Sequence, residues 1–149
     1  MAANTSPIYS LTPNISGVEA TAANTNSDGT GTIGSNIFLA YTAGANGSYV
    51  SVIRLAAVGT AAATNTTATV GRLFVSSLST GTTSPGNNTF LLAEYSLAVQ
   101  SADSSTTATF FIEVPVYKAL PGGWSILFSN HAAPAANTTW QAVVYGGDY

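Results

Sequence analysis

Phe110-Phe111-Ile112-Glu113-Val114-Pro115-Val116-Tyr117 is the stretch on which the fold turns. It is rich in β-branched and aromatic residues, and its apolar residues do not follow a helical period. Read as a strand, it sends Phe110, Ile112, Val114 and Val116 to one face and Phe111, Glu113, Pro115 and Tyr117 to the other, because successive side chains alternate. The first set is a core face. The second is partly apolar as well, which leads us to expect that both faces are covered, one by a second sheet and one by a subunit. Pro115 has no N–H to give to a ladder, so the strand belongs at a sheet edge or at a bulge.

The same texture continues in both directions. Apolar and β-branched runs predict strands near 18–24, 33–43, 49–59, 66–76, 89–99, 106–117, 124–130 and 138–145, separated by Gly, Pro, Asn, Ser and Asp clusters. Asn46-Gly47 lies between two of these runs, and both residue types tolerate positive φ, so it predicts a type I′ hairpin. Ala61-Ala62-Ala63 has helix propensity, but Gly59 and the threonines that follow remove its support. About eight strands in 149 residues predict an all-β, antiparallel β-sandwich, jelly-roll-like in topology. An immunoglobulin-like sandwich is the rival, without its Cys…Trp…Cys signature. The domain is expected over residues 18–149, preceded by an extended N-terminal arm over 1–17. That arm holds Pro7, Pro13 and Gly17, with Ile8, Tyr9, Leu11 and Ile15 either as apolar anchors for a neighbour or as part of a frayed terminus.

Charge narrows the function. Only 6% of residues are charged and the net charge is −3, so solubility rests on Ser, Thr and Asn, 49 residues together. A lone copy has weak electrostatic protection against association, which suggests a surface covered by partners. Three basic residues, Arg54, Arg72 and Lys118, do not make the positive stripe that nucleic acid requires, so no nucleic-acid partner is expected. No apolar run reaches the roughly 18 residues of a membrane helix, and no membrane role is expected. The start of the chain lacks the basic and apolar regions of a signal peptide, which favours synthesis in a cytoplasm. With no cysteine there is neither a disulfide framework nor a thiolate site.

The catalytic constellations fail one by one. His131 is the single histidine, and no Gly-x-Ser-x-Gly elbow presents a nucleophile to it. Its neighbours supply no further metal ligands, and the acidic residues are too scattered for a calcium loop, so neither metal nor cofactor is expected. Gly29, Gly31 and Gly34 lack the lysine and the helix of a phosphate loop. Glu94 and Glu113 as glycosidase carboxylates have nothing in their spacing to support them. Arg54, Arg72, Glu94 and Glu113 all fall inside predicted strands, where burial demands pairing, within the subunit or across an interface. The other outcome is that all four point at solvent. Trp124, Trp140, Tyr145 and Tyr149 crowd the final strands as core or interface anchors, with a carbohydrate platform as the rival use.

Several short segments together resemble a known group. They are Asp28-Gly-Thr-Gly, Tyr41-Thr-Ala-Gly-Ala-Asn-Gly-Ser-Tyr-Val with Ile53-Arg54, Gly71-Arg-Leu-Phe-Val75, Leu120-Pro-Gly-Gly-Trp-Ser125, Ser129-Asn-His131 and Val143-Val-Tyr-Gly-Gly-Asp-Tyr149. The series is similar to small virion proteins of tailed bacteriophages, most of all to capsid decoration, or cement, proteins. It spans most of 28–149, with Ala/Thr- and Asn-rich departures at 60–69 and 80–89. The resemblance implies a homotrimer on the outer surface of a capsid, clamping neighbouring major-capsid subunits, with no catalytic residue to carry over. The N-terminal arm lies outside the matched segments; its Ile8, Tyr9, Leu11 and Ile15, read as anchors, and the strand charges Arg54, Arg72, Glu94 and Glu113 are the candidate capsid or subunit contacts. A tail or head-fibre adhesin domain that binds carbohydrate is the alternative.

Overall fold

Ten strands form in the computed structural model of the chain, which describes residues 10–62, 64–105 and 108–149. They are β1 (Thr12–Glu19), β2 (Gly31–Thr32), β3 (Phe38–Thr42), β4 (Ser48–Gly59), β5 (Thr69–Ser76), β6 (Thr82–Thr83), β7 (Thr89–Leu97), β8 (Phe111–Leu120), β9 (Ser125–Asn130) and β10 (Thr138–Asp148). Two four-stranded antiparallel sheets, ordered β1-β10-β4-β8 and β3-β9-β5-β7, make the sandwich, and β2 pairs with β6 in a short ribbon. Numbering the eight long strands one to eight gives the orders 1-8-3-6 and 2-7-4-5. That is the strand order of a jelly roll, as the alternating texture predicts.

Side-chain alternation builds the core between the sheets. From β4, Ile53, Leu55 and Ala57 point inward; from β10, Trp140, Ala142 and Val144; from β9, Ile126 and Phe128. All are at most 1% exposed. A second apolar cluster sits on the outside of the β3-β9-β5-β7 sheet, where Ile37, Phe74 and Leu127 pack together beneath the segment that carries β2. The Thr83 hydroxyl of β6 lies 2.6 and 3.0 Å from the carbonyls of Gly29 and Gly31, which holds that cover in place. Apolar residues on both sides of β5 and β9 are thus covered by the chain itself.

β8 is an edge strand, as Pro115 requires. It is bulged too: the β4–β8 register shifts between Val50 and Val52, where Tyr117 takes a left-handed φ of 49°.

Two sequence expectations are corrected. Asn46-Gly47 does not make a type I′ hairpin, because β3 pairs with β9 while β4 pairs with β10 and β8. The turn is a corner between sheets. Gly47 alone has positive φ, 95°, and its N–H donates to the Gly44 carbonyl at 2.9 Å. Local sequence reports a turn there, but only distant partners decide whether the flanking strands share a sheet. The arm boundary at residue 17 also moves. Residues 12–17 belong to β1, which runs on to Glu19 in place of the strand expected at 18–24, and pairs with β10 from Thr12↔Asp148 to Glu19↔Gln141. Small inward residues, Asn14 and Ser16, hid the alternation. Ile8 and Tyr9 of the arm lie outside the described residues.

Asp148 pins this end of the sandwich. Its carboxylate accepts from Ser48 Oγ, from Asn14 Nδ2 at 3.0 and 3.1 Å, from Tyr41 OH at 3.2 Å and from the Gly44 N–H at 3.3 Å. These donors come from β4, β1, β3 and the corner turn, so one side chain ties both sheets. The Ser48 hydroxyl, followed by Asn14, Gly44 and Tyr41, holds the carboxyl below the ordinary aspartate value of 3.8. Because the folded pKa is depressed, the stabilisation is present above the unfolded pKa and disappears as pH falls through the folded value. Asp148→Ala should destabilise the fold by about 1.5–3 kcal/mol at neutral pH. In urea titrations the advantage of the wild type over the variant should start to shrink below about pH 4 and vanish as the pH falls through the lower folded value.

Candidate assembly surface

The outer face of the β1-β10-β4-β8 sheet follows from register. Three rows cross it: Glu19, Gln141, Ala56, Phe111; then Gly17, Val143, Arg54, Glu113; then Ile15, Tyr145, Val52, Pro115. The intervening rows face the core. No loop cluster comparable to the one over the other sheet is seen here among the described residues. Ile15 is 63% exposed and Phe111 48%.

The one cation of this face is paired within it, and Glu19 is the remaining charge, without an ion-pair partner among the described residues. Arg54 and Glu113 are direct cross-strand partners, and their side chains meet at 2.7 Å. The guanidinium lies 4.4 Å from the Phe111 ring centroid and 5.7 Å from that of Tyr145, so aromatic faces sandwich its charge. Beside it, Gln141 Nε2 donates to Glu19 Oε1 at 2.7 Å. The result is a broad sheet face of aliphatic and aromatic groups whose cation already has its anion. Such a face recognises a partner by shape and apolar burial rather than by net charge.

The second pair lies in the other sheet. Arg72 and Glu94 are direct partners across β5 and β7, with Nε to Oε1 at 3.1 Å. Arg72 is only 5% exposed and also donates to the Asn24 carbonyl at 3.3 Å. Its role is internal: it anchors the segment that covers the outer cluster. It therefore offers no contact surface, and only Glu94 of this pair reaches solvent. Both arginines pair within the subunit, while Arg54, Glu113 and Glu94 also remain solvent-exposed and Arg72 alone is buried.

The aromatic candidates divide. Trp140 is core, 1% exposed, with Phe110 edge-on at 6.2 Å between ring centroids. Trp124 is half-buried and helps to line a cavity of about 290 Å³ between the two sheets. Tyr145 belongs to the outer face described above. Tyr149 closes the corner turn, its N–H donating to the Gly47 carbonyl at 3.1 Å. Leu11 is 81% exposed beyond the start of β1. Glu94 and Glu113 lie in different sheets, each held by an arginine. Asp28 caps its own turn, accepting from the Thr30 N–H at 2.8 Å, and this contact lowers its pKa.

Sequence reading passed over Asp148 and the exposed run Phe90-Leu91-Leu92 in β7. A signal for the latter was present: three consecutive large apolar residues break the alternation expected of a strand with one wet face. The chain matches no family model, no curated protein and no solved structure.

Removing Arg72 tests its internal role. Arg72→Ala should cost about 1–3 kcal/mol in chemical unfolding, less than a fully buried pair because Glu94 keeps solvent. Amide exchange should rise in residues 24–37 more than in β10.

Proposed function

We propose that this chain is a non-enzymatic structural protein of a phage virion, which binds the outside of the capsid and clamps neighbouring major-capsid subunits. The observation that carries the reading is the outer face of the β1-β10-β4-β8 sheet, apolar, exposed and internally neutralised around Arg54–Glu113. The segments that resemble capsid decoration proteins support the choice of partner. Synthesis in the host cytoplasm and a final place on the capsid surface go with it.

The mechanism is additive burial. A flat β-face makes many modest contacts, and a molecule that touches several capsid subunits gains further from effective concentration. The proteins it resembles gain this as trimers. Arm residues that order on binding add contacts at an entropic cost. Few unpaired charges meet the partner, so attachment is governed by apolar area and changes little with salt.

The carbohydrate-binding reading has less support. Trp140 is buried, the Tyr145 ring is already covered by the Arg54 guanidinium, and the cavity beside Trp124 has Lys118 as its one charged residue among mostly aliphatic walls. Sugar sites need several convergent polar groups beside an aromatic platform.

Purified protein mixed with undecorated capsids of the phage that encodes it should co-sediment, with affinity changing less than about tenfold between low and high salt. Ile15→Asp, a substitution on an exposed edge, should weaken co-sedimentation by at least about tenfold while leaving thermal unfolding unchanged. Absence of co-sedimentation at either salt concentration would overturn the proposal.

A further inference from the structure

The two sides of the sandwich are not closed alike. On one side β1 packs against β3, and Asn14 Nδ2 reaches the Thr42 carbonyl at 3.5 Å and the Asp148 carboxylate at 3.0 Å. On the other side the edge strands β7 and β8 scarcely touch. Between them opens the cavity of about 290 Å³. Val75, Leu92 and Ile126 wall it from one sheet, Val116 and Leu120 from the other, with Trp124 beside them. The β7 bulge helps to shape it: Leu73 pairs with Ala93 and Phe74 with Leu91, and the extra residue, Leu92, lines the space.

Lys118 is the only charged residue at this cavity. Its direction follows from register. It stands opposite Val50, which is fully buried, and residues directly opposite in an antiparallel pair share a face. Lys118 therefore starts from the inner face of an edge strand and rims the cavity while remaining exposed. Both arginines have their carboxylates, whereas Lys118 has no ion-pair partner among the described residues. No acidic residue lines the cavity.

We infer that this cavity binds a fatty acid of about eight to ten carbons, its alkyl chain between the sheets and its carboxylate on Lys118. Size and charge select that class. An apolar cavity of roughly 150 Å³ takes up a benzene ring, so one of 290 Å³ takes about ten carbons. An alkyl chain leaves no polar group unpaired against aliphatic walls. The carboxylate stays at the rim, where the lysine stem lies along apolar surface and its ammonium keeps water. One monoanion matches one cation. A neutral chain gains the same burial without the ion pair, and a cationic head meets repulsion. An inward lysine on an edge strand also discourages strand addition. That use is indifferent to a ligand's head, so discrimination between heads separates the two roles.

Titration of the ¹⁵N-labelled chain with octanoate, 1-octanol and octyltrimethylammonium, each below its micelle-forming concentration, tests this by NMR. Octanoate should give saturable shifts at the Leu92 amide and the Trp124 indole, and bind about fivefold more tightly than octanol. Octyltrimethylammonium should bind most weakly. Lys118→Gln, at an exposed position, should bind octanoate no better than octanol. Leu92→Trp should fill the cavity and abolish binding of both; if it does not fold, Val116→Phe takes its place. Absence of saturable shifts with octanoate overturns the inference. So does equal affinity of the wild type for octanoate and octanol, or an octanoate preference that survives in Lys118→Gln. The titration needs no capsids and does not rest on the proposed function. Protection of Leu92 and Trp124 in the virion, without octanoate binding to the free chain, would give the cavity to the capsid and overturn the fatty-acid inference alone.

Discussion

A charged side chain on an apolar strand must either reach solvent or meet an opposite charge on the next strand. Both strand arginines obey this constraint: Arg54 meets Glu113 across β4 and β8, and Arg72 meets Glu94 across β5 and β7. A slip of either ladder by one residue would turn each charge toward the core and strand its partner. Register and charge pairing therefore specify one another. Asp148 applies the same logic at the end of the molecule, where four chain segments converge on one carboxylate. In a chain with 6% charged residues, these contacts engage much of the available charge internally.

That arrangement decides what remains for a partner. One sheet has its outer face covered by the chain itself, with Arg72 anchoring the segment that carries β2 against it. The other sheet presents rows of apolar residues around a neutralised pair. The sandwich is consequently asymmetric, with a closed side and an open side. The β7 edge adds a second apolar zone, at the margin rather than on the face. The molecule therefore has one open face and one exposed apolar edge.

The sequence was most informative where structure is local. Alternation located seven of the eight long strands, although those expected at 33–43 and 106–117 begin only at Phe38 and Phe111, and Pro115 announced an edge or a bulge from a single residue. The possibility that Arg54, Arg72, Glu94 and Glu113 form two pairs was also visible, because two cations and two anions lay in strand contexts. Sheet membership was not visible. Asn46-Gly47 announces a turn, but β3 and β4 part there to opposite sheets for reasons held in β9 and β10. β1 escaped because two of its inward residues, Asn14 and Ser16, are small and polar, and its ladder comes from a strand more than a hundred residues away. Trp124 and Trp140 looked equivalent in sequence; only packing makes one a core residue and the other part of a cavity wall.

The central claim is that the open sheet face is covered when the protein does its work. Hydroxyl-radical footprinting of the free chain and of the chain in intact virions measures this side chain by side chain. The account predicts that Ile15, Phe111 and Tyr145 react in the free protein and are protected in the particle. Equal reactivity of these three residues in both states would contradict it.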